Sequence, residues 1–193
     1  TRGLFTGGYT GSGSVQDEIS YVTIAQTGNA VDFGNLTRQS RALGSCQSTT
    51  RGIQAGGAPS NQNTIDFITM MTTGNATDYG DLSVGRDIIT GGGNSIRGIF
   101  AGGRTAPAGA RTNVIDFITI ATLGNAVDFG DLPDAAYMPG KSSACSSLRM
   151  VMTMPDAGPY TAGFDFLTIA TTGNATDFGD ASASMGSNGA NSN

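Results

Sequence analysis

The stretch Phe117-Ile-Thr-Ile-Ala-Thr-Leu-Gly-Asn-Ala-Val-Asp-Phe-Gly-Asp-Leu132 decides the fold, because 193 residues contain it four times. It stands also as Tyr21–Leu36, Phe67–Leu82 and Phe166–Ala181, with small changes. The glycine of its Gly-Asn-Ala core falls at Gly28, Gly74, Gly124 and Gly173, giving spacings of 46, 50 and 49 residues. A second mark precedes each copy: Arg2-Gly-Leu-Phe-Thr-Gly-Gly8, Arg51-Gly-Ile-Gln-Ala-Gly-Gly57 and Arg97-Gly-Ile-Phe-Ala-Gly-Gly103. Before the fourth copy it has decayed to Arg149-Met-Val-Met-Thr-Met154. Self-similarity at a period of about 20–50 residues marks architectures in which one unit cannot bury its own apolar surface and neighbours must stack.

Each unit reads as strands. Arg97 to Ala101 is short and apolar and runs into Gly-Gly, which predicts a strand ending in a turn. A variable polar loop follows, Arg104 to Arg111 in this copy. Asn113 to Thr122 carries Val, Ile, Phe and Thr on both faces, which predicts a strand buried on two sides. Leu123-Gly-Asn125 predicts a tight hairpin turn, with Ala126 to Leu132 as the partner strand. Ala136 to Ser146 is a weaker candidate for the remaining strand. Helical periodicity is absent. The expected class is all-β, with about four strands per unit.

Four antiparallel strands in about 40–50 residues describe a β-propeller blade. Phe33, Tyr79, Phe129 and Phe178 are then expected as wedges between adjacent blades. The order Gly-Gly, variable loop, apolar strand, turn, aromatic strand resembles a kelch repeat. Phe117 matches the first kelch aromatic, and Phe129 stands where kelch has Trp, a departure. The wording Ile-Asp-Phe-Ile-Thr-Ile-Ala-Thr-Thr-Gly-Asn-Ala-Thr-Asp-Phe-Gly-Asp-Leu is similar to kelch-like repeats in bacteriophage tail-fibre and appendage proteins. The resemblance covers nearly the whole chain. It implies a β-propeller of four kelch-like four-stranded blades of about 46–50 residues, in a single domain over 1–193, with repeats at roughly 1–46, 47–92, 93–144 and 145–193. It also implies a virion or extracellular location and a role as a non-catalytic structural or adhesion module. Its partners would be other virion or fibre proteins, further copies of the chain in a homo-oligomer, and a host surface glycan or protein. The alternative is a carbohydrate-binding, lectin-like propeller; a third reading is a hydrolase or lyase on a propeller scaffold.

The small-residue tail Ala181 to Asn193 has the character of the segments before Arg51 and Arg97. It is expected to supply the missing strand of the first blade and so close a four-bladed ring. The other reading is part of a larger propeller, or one completed by another subunit. The chain opens at Thr1, inside a repeat and without an initiator Met, as a fragment or processed product would.

Composition narrows the chemistry. Hydrophobic residues are 38% and charged residues 13%, against usual values of about 45–50% and about 25%. Glu, Lys, Leu and Arg are too scarce for a helical bundle, and the 30 glycines follow no three-residue period. There is no histidine. Ser-His-Asp and Cys-His nucleophile systems and His-based zinc sites are therefore excluded within this chain. The acidic pI of about 4.4 argues against nucleic acid as partner. No apolar run reaches the roughly 20 residues of a membrane-spanning helix, so membrane insertion is not expected.

The remaining candidates read as structure. Asp-Phe/Tyr-Gly-Asp/Asn pairs Asp32 with Asn35, Asp78 with Asp81, Asp128 with Asp131 and Asp177 with Asp180. Two oxygens per copy are few for calcium, and a strand end where Asp caps backbone N–H groups beside a glycine bulge fits better. Pro139-Gly-Lys-Ser142 ends like a phosphate loop but lacks the first glycine and a following helix. Gly91-Gly-Gly93 is expected in a close-packed turn. Cys46 and Cys145 hold like positions two repeats apart and are expected as buried, unpaired thiols. Asn35, Asn75 and Asn174 begin Asn-x-Ser/Thr patterns, read as incidental for a viral or bacterial product. The loops at Ala58 to Asn63 and Arg104 to Arg111 vary between repeats, and variable loops on a rigid scaffold are where binding concentrates. No catalytic, cofactor-binding or metal-ligating residue and no cofactor is assigned.

Overall fold

The computed structural model describes residues 1–106, 110–136, 142–153, 162–183, 190 and 192. All their regular structure is β, with no helix among the described residues. The first sheet joins β1 (Arg2–Thr6), β2 (Glu18–Thr23) and β3 (Val31–Asn35). The second joins β4 (Gly44–Gln47), β5 (Arg51–Ala55), β6 (Thr64–Thr69) and β7 (Thr77–Asp81). The third contains β8 (Arg86–Asp87), β9 (Thr90–Gly93), β10 (Arg97–Ala101), β11 (Arg104–Thr105), β12 (Ala110–Thr119) and β13 (Val127–Ala136). The fourth joins β14 (Ser143–Cys145), β15 (Arg149–Thr153), β16 (Gly163–Thr168) and β17 (Thr176–Asp180). Every pairing is antiparallel, and the second and fourth sheets follow chain order.

The apolar residues form three clusters, and each lies between two consecutive sheets. Ile19, Phe33 and Leu36 of the first meet Ile68 and Ala76 of the second. Ile65, Tyr79 and Leu82 of the second meet Phe100, Ile118 and Ile120 of the third. Ile115, Phe129 and Leu132 of the third meet Met150, Leu167 and Ile169 of the fourth. A sheet with a neighbour on each side buries both faces, which is why β6 and β12 are apolar in both directions. Each fully buried large side chain contributes about 1.5–3 kcal/mol. Exposed ion pairs contribute about 0–1 kcal/mol, so these seams are the main stabilising feature.

A bulge recurs at one place in every repeat. Register shifts fall at Ile19/Ser20, Ile65/Asp66, Ile115/Asp116 and Phe164/Asp165. Opposite them stand the glycines of Asp-Phe/Tyr-Gly, at φ +145, +147, +145 and +131°. Each motif Asp accepts a hydrogen bond through Oδ1 from that glycine's N–H, at 3.0, 3.2, 3.1 and 3.0 Å.

Three local expectations are corrected. The connection after β12 is not a tight hairpin: seven residues separate Thr119 from Val127, and only Thr122 N–H to the Thr119 carbonyl closes a turn, at 3.0 Å. The later part of that connection is spent on the neighbouring sheet. Gly91-Gly-Gly93 is a strand, β9, rather than a turn. A Cβ on Gly91 would lie 2.3 Å from the Ser45 nitrogen, so the glycines let β9 pack against β4 of the next sheet. Phe178 is not a wedge: it is 53% exposed, whereas Phe33, Tyr79 and Phe129 are buried.

The first sheet has three strands among the described residues, and none of these from the tail pairs with β1. Residues 184–189, 191 and 193 of the tail lie outside them. Ser192 is described, and its hydroxyl accepts the Cys145 N–H at 3.2 Å.

Candidate functional site

The repeated motifs converge on the seams. Gly74 N–H donates to the Phe33 carbonyl at 2.7 Å, and Ala76 N–H to the Asn35 carbonyl at 2.8 Å. Asn75 Oδ1 accepts the Asn35 N–H at 3.0 Å. The next seam repeats this with Gly124 to Tyr79 at 2.9 Å, Ala126 to Asp81 at 2.8 Å and Asn125 Oδ1 to the Asp81 N–H at 3.1 Å. The third repeats it with Gly173 to Phe129 at 2.7 Å, Ala175 to Asp131 at 2.9 Å and Asn174 Oδ1 to the Asp131 N–H at 3.0 Å. Each of these three Gly-Asn-Ala segments thus docks on the Asp-Phe/Tyr-Gly-Asp/Asn strand of the preceding repeat. Its Asn side chain satisfies an edge N–H that would otherwise lack a protein partner. The Asn-x-Ser/Thr patterns at Asn75 and Asn174 are explained by this docking.

The arginines of the three Arg-Gly marks, and Arg149 at the matching place in the fourth repeat, make a second recurring contact. Their Cζ atoms sit 4.8, 4.8, 4.7 and 4.8 Å from the ring centroids of Tyr21, Phe67, Phe117 and Phe166 in their own sheets. Such a cation–π contact is worth about 0.5–1 kcal/mol at an exposed site. In the three marks the same guanidinium reaches forward to a carbonyl of the next repeat. Arg2 donates to Met70 at 3.3 Å, Arg51 to Ile120 at 2.8 Å and Arg97 to Ile169 at 2.9 Å. Sequence reading found these arginines as punctuation and missed their contact; their recurrence one residue before a glycine was the available signal.

Two ion pairs were not foreseen, one from the connection between β3 and β4 to the second sheet and one within the third sheet. Arg38 Nη1 meets Asp66 Oδ2 at 3.0 Å, and Thr37 Oγ1 donates to Asp66 Oδ1 at 2.6 Å. Arg86 Nη2 meets Asp116 Oδ2 at 2.9 Å, with both side chains fully buried. Burial lowers the Arg86 pKa from its usual value, and Asp116 opposes that shift. Arg86 Nε and Asp116 Oδ1 have no hydrogen-bond partner among the described residues. Because the arginine partner stands at no fixed repeat position, periodicity could not reveal these pairs.

The remaining sequence candidates scatter. Cys46 and Cys145 are free thiols, as expected, but only half-buried; they line one cavity of 430 Å³ with Leu4, Gln54 and Gly92, so all four sheets contribute to its wall. Burial pushes the Cys46 thiol well above its usual pKa, and Cys145 adds to the shift. A smaller cavity of 150 Å³ lies at the seam of Tyr79, Phe117 and Asn125. Of Pro139-Gly-Lys-Ser142, only Ser142 lies within the described residues; its hydroxyl is 3.2 Å from that of Thr153. Arg104 was expected in a variable loop but stands in β11, where it forms a two-pronged ion pair with Asp87 of β8 at 2.9 and 2.7 Å. Asn61 Nδ2 donates to the Arg104 carbonyl at 2.6 Å, joining the variable loop of the second repeat to β11 of the third. Among the described residues no group of three or more Cys, Asp or Glu could hold a metal ion. Comparison of the sequence with protein-family models and with curated proteins finds no match.

Proposed function

We propose that the four sheets are kelch-like blades of a β-propeller, and that the protein is a non-catalytic structural or adhesion module of a phage tail fibre or appendage. One observation carries this reading. Each strongly recurring motif (Arg-Gly, Gly-Asn-Ala and Asp-Phe-Gly-Asp) is spent on contacts between sheets. What repeats is scaffold, and what varies is loop. The loop at Asn61 and the short strand at Arg104 are joined into one surface drawn from two repeats. Such a surface would meet a host protein or glycan, and many weak contacts would add through multiple copies.

The reading is tested by immunogold electron microscopy with an antibody against this chain, on virions from its source. Label on fibres or appendages is expected, and virions that carry no label would overturn it. A glycan array with the purified chain separates display from the lectin alternative. Saturable glycan binding lost on substitution within 58–63 or 104–111 would move the assignment to a lectin.

A further inference from the structure

The chain presents two exposed apolar faces, and each is the counterpart of a face that it covers at its internal seams. At the fourth-repeat end, Phe178 is 53% exposed where Phe33, Tyr79 and Phe129 are buried. A Cβ on Gly179 would meet nothing within 4 Å. At Gly34, Gly80 and Gly130 it would meet the docked Gly-Asn-Ala backbone at 2.4 to 2.5 Å. The Arg149 guanidinium rests over Phe166 but, unlike Arg2, Arg51 and Arg97, has no forward carbonyl among the described residues. At the first-repeat end, Phe5 is 62% exposed, whereas Phe100 and Met152 at its position are buried. Ile24 is 65% exposed, whereas Ile120 and Ile169 are buried. Gly28-Asn29-Ala30 makes no docking hydrogen bond among the described residues.

We infer that these faces are the two halves of a fourth seam, formed head to tail between two copies of this chain. In it Gly28 and Ala30 N–H of one copy donate to the Phe178 and Asp180 carbonyls of the other. Asn29 Oδ1 accepts the Asp180 N–H, and Arg149 reaches the Ile24 carbonyl. Phe178 is covered by Val22 and Ile24. A second copy is the occupant because it carries the complementary half, with the same donors and acceptors in the same order as three seams already present. Among the described residues no hydrogen bond or apolar cluster joins the two halves within one chain. Large apolar patches left open on a soluble chain mark interaction surfaces. Such a contact is heterologous, so it generates a closed ring or an open fibre. Two substitutions make this seam weaker than the internal ones: Ala181 replaces Leu36, Leu82 and Leu132, and Ser20 replaces Asp66, Asp116 and Asp165. The association is therefore reversible. The inference rests on the seam geometry and not on the virion reading.

Sedimentation velocity with light scattering over a concentration series tests it. The intact chain should rise above 19.5 kDa with concentration. Phe178→Asp and Ile24→Asp each place a charge on one half, in a side chain that is already exposed, so circular dichroism should stay unchanged. Each should weaken association by at least about tenfold. An equimolar mixture of the two variants retains one intact head and one intact tail, and should form a dimer that stops there. A chain that keeps its monomer mass at every concentration overturns the inference, as it would if the ring closed on itself. Variants that assemble like the unaltered chain, or a mixture that stays monomeric, also overturn it.

Discussion

Gly80 holds φ at +147°, and a Cβ there would lie 2.5 Å from the Gly124 carbonyl oxygen. It therefore serves the bulge and the seam together. Gly80→Ala should cost about 1–3 kcal/mol by strain and overpacking. Gly179→Ala has the same kind of backbone but no docked neighbour, so it should cost less; chemical denaturation of the two variants checks the order. Asp116→Ala strands the buried Arg86 charge and should cost about 3–5 kcal/mol, read by the same method. For Cys46 the sign follows from its raised pKa: the unfolded thiol loses its proton above about pH 8.5 while the folded one keeps it. Its contribution is full below that pH and declines above it. Stability should fall more steeply on the alkaline side for the parent than for Cys46→Ala, as melting curves against pH would show.

At the scale of elements, the seam and not the single sheet is the stabilising unit. Phe129→Ala should cost about 3–5 kcal/mol, since it opens a cavity between the third and fourth sheets. Phe178→Ala, at the matching position of the exposed end, should cost less than about 1 kcal/mol in the dilute monomer. Equal losses in thermal melts would contradict the seam account. The same contrast shows what sequence could convey. Strand class and repeat length were legible because Ile, Val, Phe and Thr recur at a fixed period. The role of Gly124-Asn125-Ala126 was not, because a glycine and an asparagine beside a strand signal a turn whether the turn stays within its hairpin or docks on a neighbour. Gly91–Gly93 misled for a similar reason: three glycines mean either a turn or a strand with another backbone pressed against it, and only the position of β4 decides between them.

For the whole molecule, repetition sets the fold and is what supports the proposed function. Three identical seams use up the recurring polar groups, and the unrepeated parts are loops and ends. The loops fit display and the ends fit assembly. What periodicity could not convey was the state of the ends, because sequence reads the same whether Phe178 is covered or open. The central claim is that each Gly-Asn-Ala is docked except the first. Amide hydrogen exchange at single-residue resolution, in dilute protein, measures this directly. Gly74, Ala76, Gly124, Ala126, Gly173 and Ala175 should be protected, while Gly28 and Ala30 should exchange as exposed amides. Protection of Gly28 and Ala30 equal to the others, or none at the six internal amides, would contradict the account.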